Sequence, residues 1–160
     1  MNKKILLQKR IAKLQKHYEA LCNYHTLIID FTKTKNIFTP ENYKTLTIEK
    51  QAVLDAYLKR FASLQDYLGA KIFPLALELA GIGSKKMTDI LYIAEREEII
   101  DNIETWIELR EIRNELEHEY PDTIEHALAD LKLCIEHFET LDRYYHNIQK
   151  FIQRHLGETF

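Results

Sequence analysis

Leu7, Ile11, Leu14, Tyr18, Leu21, His25 and Ile28 recur at alternating spacings of four and three, the repeat that sets side chains along one stripe of an α-helix. The spacing predicts a helix over about residues 3 to 35. A chain that opens with so long an amphipathic helix has to lay that stripe against other elements. Only 4 Gly and 3 Pro stand in the 160 residues, which leaves few places for tight turns. Long helices with short connections are therefore expected, and the length suits a single domain over 1–160. With 46% hydrophobic and 29% charged residues, the collagen-like, low-complexity and disordered classes are excluded. No apolar run approaches the roughly 18 residues of a membrane span. The start, MNKKILLQKRIAKLQKHYE, interleaves lysine with leucine instead of building a signal-peptide core. The chain reads as soluble and cytoplasmic, with no membrane partner.

Thr39-Pro40 in NIFTPENYKTLT suits a cap followed by a first helical position, so a short helical turn is expected inside that connection. A second long helix carries Leu54, Tyr57, Leu58, Phe61, Leu64 and Leu68 on one stripe, with Gly69 and Pro74 predicting a kink near Phe73. LALELAGIG is expected to close that helix with Gly81 and Gly83 in the left-handed conformation. A shorter helix is expected from Ser84 to about Arg96. Asp101 with Glu104 reads as a capping box opening the next helix. Its apolar positions Ile103, Trp106, Ile107, Ile112 and Leu116 face a core until Pro121 ends it. Asp122 with Glu125 reads as a second box, starting one final helix marked by Ile124, Leu128, Leu131, Ile135, Phe138, Tyr145, Ile148 and Ile152. With no strand signal in competition, the expected fold class is all-α, an up-and-down four-helix bundle with an extra short helix.

Charge is unevenly spread. Residues 1 to 50 hold ten Lys/Arg against four Asp/Glu, whereas residues 95 to 130 hold three against thirteen. A basic first helix can follow a nucleic-acid backbone. The favoured reading on charge alone is that it pairs with the acidic segment of its own fold.

Reactive residue types gather in RNELEHEYPD, residues 113 to 122. On an ideal helix Asn114 and His118 share a face, while Arg113 lies about 140° round from His118 and about 7.5 Å back along the axis. An imidazole moves a proton near neutral pH and a guanidinium grips a phosphate through paired donors, so the two together suit phosphodiester cleavage without a metal. Read from spacing alone, these can also be ordinary surface residues, with Arg113 and Glu117 an exposed ion pair.

Arg113, Asn114, three intervening residues, His118, one residue and Tyr120 resemble the signature of the HEPN superfamily. That signature is an arginine, four to six intervening residues of which the first is polar, and a histidine. The tyrosine two places after the histidine is similar to the subgroup of toxins paired with minimal nucleotidyltransferases. The resemblance extends as a helical plan over most of the chain. RFASLQDYLGAKIFP and IIDNIETWIELREIRNELEHEYPD are similar to stretches of uncharacterised members. It implies a HEPN-like four-helix bundle that homodimerises so that two motif helices form a composite cleft, and metal-independent endoribonuclease action on RNA. By the same resemblance, His118 is the general base toward the ribose 2′-hydroxyl, Arg113 stabilises charge on the phosphate, and Asn114 positions the site. The product end is then a 2′,3′-cyclic phosphate. Tyr120 is implied as the AMPylation target of a nucleotidyltransferase antitoxin.

Glu111, Glu115, Glu117 and Glu119 flank His118. Such a field repels an RNA backbone and favours a protonated imidazole, which cannot act as a base. The alternative is a non-catalytic helical partner or substrate-binding subunit of a nucleotidyltransferase. No cofactor and no metal site is expected. Cys22 and Cys134 read as thiols on apolar faces, and His25 as a core or interface histidine with a local partner. His126, His137, His146 and His155 lie at separations that are not ligand spacings and read as surface or core edge. Lys59 and Arg60 read as a solvated face and Trp106 as packing.

Overall fold

The computed structural model describes residues 2–118 and 123–157. Their elements are all helical: α1 (Lys3–Thr32), α2 (Pro40–Tyr43), α3 (Ile48–Tyr67), a π-helical turn (Leu68–Ile72), α4 (Phe73–Leu79), α5 (Met87–Arg96), α6 (Ile103–His118), α7 (Ile124–Glu136) and α8 (Phe138–Leu156). Among the described residues no helix is long and apolar enough to cross a membrane.

The Asn2 side chain caps α1 by accepting from the Lys4 amide at 2.7 Å. Leu7, Ile11, Leu14, Leu21 and Ile28 of the expected stripe are buried, and the helix stops at Thr32, three residues early. Thr39 caps the single turn α2 with Pro40 at its start, and Thr47 caps α3. α3 lies centrally, touching α1, α6, α7 and α8.

The expected kink near Phe73 takes the form of a π-helical turn over Leu68–Ile72, after which α4 begins. Pro74 has no amide to donate back into the helix, and a wider turn accommodates the missing bond. Gly69 sits inside that turn because a β-carbon there would stand 2.9 Å from Cζ2 of Trp106. Trp106 is buried and packs on Phe73 and Tyr144, as its apolar stripe required.

Several expectations need correction. Gly81 closes α4 with a φ of +81°, but Gly83 is not left-handed; its β-carbon would stand 2.9 Å from the Glu78 backbone. α5 begins at Met87 because Ser84 is spent on a preceding turn, its hydroxyl accepting from the Lys86 amide and donating to Asp89. The cap of α6 is Asn102, whose Oδ1 accepts from the Thr105 amide at 2.7 Å, while Asp101 pairs with Arg143 on α8. The buried face of α6 runs through Trp106, Leu109 and Arg113, and Ile107 is 44% exposed. Asp122 and Pro121 lie outside the described residues; the side chain capping α7 is Thr123, which accepts from the His126 amide. The single final helix is two, divided at His137, whose Nδ1 lies 3.1 Å from the Thr140 hydroxyl.

Three basic side chains of α1 are also not directed as expected. Lys3 pairs with Glu78, Arg10 donates to the Lys71 carbonyl, and Lys13 lies over the Tyr67 ring. These partners belong to α3, α4 and the turn between them rather than to residues 95 to 130. α1 is joined to α8 by the stacked rings of Tyr18 and Tyr145 and by the Tyr18 hydroxyl, which donates to Asp142 at 2.5 Å. α3 is joined to α7 by Tyr57, which donates to the Cys134 carbonyl. Neither cysteine forms a disulfide; Cys134 is buried and Cys22 half-buried.

Candidate functional site

The four sequence-singled residues divide sharply. Arg113 lies on the buried face of α6, 3% exposed. Its Nε donates to Oε1 of Gln65 at 3.0 Å, its Nη1 to Oδ2 of Asp66 at 3.3 Å, and its Nη2 to Oδ1 of Asp66. Gln65 is itself buried and donates through Nε2 to the Trp106 carbonyl at 2.8 Å. A planar guanidinium fits a carboxylate edge-on, and here α3 supplies the carboxylate and α6 the fork. The Asp66 side chain is 60% exposed, so the pair reaches from the core to the surface.

Asn114, next along α6, is exposed. His118 is the last residue of α6, one turn beyond Asn114, so the backbone puts both on one face. Tyr120 lies outside the described residues. The structure thus places Arg113, Asn114 and His118 on one helix end and joins Arg113 to Gln65 and Asp66, which sequence reasoning missed. The signal was available for Gln65: it stands four residues after Phe61 and three after Ala62, a polar side chain at a core position that needs a partner.

Asp66 and Ala70 line two cavities in common. One of about 260 Å³ is lined by Gln65, Asp66, Gly69, Met87, Trp106 and Arg110. The other, about 350 Å³, is lined by Lys13, His17, Ser63, Asp66, Tyr67 and Lys71. Arg60 approaches the second through His17, with Nη1 3.1 Å from Nδ1 of the ring; Lys59 is exposed, as expected. Burial, then Arg60 and Lys13, lower the pKa of His17. A neutral ring accepts the Arg60 hydrogen bond, and a basic rim forms beside the outer end of the Arg113–Asp66 pair. His25 stacks on Phe138 at 3.9 Å, the local partner expected of it, and burial lowers its pKa too.

Both rings protonate less readily folded than unfolded. Their contribution to stability is complete above the ordinary histidine value of about 6.5 and is lost as pH falls through the lower folded values. The urea midpoint is therefore expected to fall from pH 7.5 to 5.5, and to fall less in a His17→Gln, His25→Phe double variant. Equal pH dependence in the two proteins would show that these rings do not couple protons to folding.

No family model, curated protein or solved structure matches the chain. The functional reading therefore rests on the residues themselves.

Proposed function

We propose that this chain is a HEPN-type toxin, a metal-independent endoribonuclease restrained by a minimal nucleotidyltransferase antitoxin. The observation that carries the reading is the register of Arg113, Asn114, His118 and Tyr120, with the first three on the last turns of α6. In the proposed assembly the principal helices act as a HEPN-like four-helix bundle, and two copies meet along α6 to give a cleft with two histidines and two arginines. His118 takes the proton from the ribose 2′-hydroxyl as its oxygen attacks the adjacent phosphorus. The bond to the 5′-oxygen breaks, leaving a 2′,3′-cyclic phosphate, and the departing 5′-oxygen takes a proton from the second imidazole of the cleft or from water to become a 5′-hydroxyl. Arg113 meets the charge gathering on the non-bridging oxygens, and Asn114 orients the reacting groups. For this the phosphate takes over the outer edge of the guanidinium from Asp66, whose exposed carboxylate can turn to water. AMPylation of Tyr120 adds negative charge beside the cleft and repels RNA.

The second reading is a non-catalytic partner or substrate-binding subunit of a nucleotidyltransferase. It is favoured by the acceptors that Gln65 and Asp66 already give to each of the three guanidinium nitrogens of Arg113. The test is RNA incubated with purified protein in EDTA, with light scattering at micromolar concentration. Cleavage by a dimer supports the first reading. Uncut RNA, or a monomer throughout, retires the composite ribonuclease site.

A further inference from the structure

Glu115 on α6 and His126 and Asp130 on α7 bring three metal-ligating side chains together, with one donor atom from each lying within 4.8 Å of the other two. His126 and Asp130 are one turn apart, and Nε2 of the ring is 3.8 Å from Oδ2 of the carboxylate. Thr123 fixes this geometry by capping α7 through the His126 amide, so the ring projects from the first turn of a well-started helix.

The cluster differs from an ordinary acidic surface in one respect. Asp130 is only 6% exposed, and its Oδ2, the atom aimed at His126, has no hydrogen-bond partner among the described residues. A buried carboxylate oxygen without a donor is costly, because burial removes its water without replacement. At 3.8 Å the imidazole is too distant to supply a hydrogen bond. A cation between the two groups would satisfy the oxygen directly.

The donor chemistry narrows the ion. Two carboxylates and one imidazole suit Zn²⁺ and its divalent first-row neighbours, whereas Mg²⁺ and Ca²⁺ favour oxygen ligands alone. With bonds of about 2.0–2.2 Å, neighbouring donors on such an ion stand roughly 3–3.5 Å apart. Glu115 and His126 are exposed, so their side chains have room to rotate toward that range. Water completes the coordination on the open side, and the acidic stretch over residues 95 to 130 raises the local cation concentration.

We infer that Glu115, His126 and Asp130 form a binding site for a divalent transition-metal ion of the Zn²⁺ class, tying the end of α6 to α7. The site stands on these three residues independently of the ribonuclease reading, no step of which passes through the ion.

Calorimetric titration of the EDTA-stripped full chain with Zn²⁺ at pH 7.5 tests it, paired with thermal unfolding with and without the ion. One ion per chain is expected, with a rise in melting temperature on binding. Affinity should weaken by about tenfold or more in His126→Ala and in Asp130→Asn, and less in Glu115→Gln. His155→Ala, on the exposed end of α8, should change nothing. Because His126 and Glu115 are exposed, their variants test the site even if Asp130→Asn fails to fold. Absence of binding, or binding and thermal shift unchanged in both His126→Ala and Glu115→Gln, overturns the proposal.

Discussion

His118→Ala is expected to lower RNA cleavage in EDTA by about 10²–10⁴-fold, the range typical of removing a positioned general acid or base, with helical circular dichroism unchanged. The 2′-hydroxyl is a poor nucleophile until its proton is taken, and a single histidine per chain in the motif carries that task. Asn114→Ala, removing an exposed positioning group, should cost less than His118→Ala. If the His118 variant cuts as fast as the parent protein, the histidine is not the base and the motif is only the end of a helix. If neither protein cuts, the binding-partner reading stands instead.

Arg113→Ala should destabilise the fold by about 2–4 kcal/mol, measured by urea unfolding. The substitution deletes a buried side chain and leaves Oε1 of the buried Gln65 without its donor, a loss of about 1–3 kcal/mol by itself. The remainder comes from the abandoned space and the broken pair with Asp66. That pair contributes modestly, because the carboxylate is largely in water. Arg113→Lys should recover only part of the loss, since an ammonium cannot span Gln65 and both oxygens of Asp66. A variant as stable as the parent would show that the Gln65–Arg113–Asp66 network does not hold α6 to α3. Activity lost in an Arg113 variant therefore says nothing about catalysis until its fold is checked. Asp66→Asn is the cleaner probe: it keeps the guanidinium and its bond to Gln65 while weakening the competitor of phosphate. On the ribonuclease reading it preserves cleavage or tightens RNA binding.

The helical plan was legible wherever the physics is local. The α1 stripe, the Thr39-Pro40 turn and the Gly69/Pro74 disturbance all follow from spacing or from one residue's covalent geometry. The misreadings arose where two local solutions compete. Asp101 and Asn102 are both good caps; Asn102 serves because Asp101 is drawn to Arg143, 42 residues away. The division at His137 carries neither Gly nor Pro, so periodicity ran straight through it. Arg113 read as a free phosphate-binding group because its acceptors come from another helix, about one-third of the chain away. For the same reason His126 read only as surface or core edge, since its approach to Glu115 on α6 comes from the packing of two helices. Side-chain chemistry within one helix can be read from spacing; chemistry assembled between helices needs the packing.

Cleavage by an imidazole acting on the neighbouring hydroxyl is reported most directly by the ends of the cut RNA. RNA treated with the parent protein in EDTA and analysed by mass spectrometry is predicted to carry 2′,3′-cyclic phosphate on one fragment and a 5′-hydroxyl on the other, with neither formed by His118→Ala. Fragments bearing 3′-hydroxyl and 5′-phosphate ends, or cuts that form only when a divalent ion is restored, would contradict it.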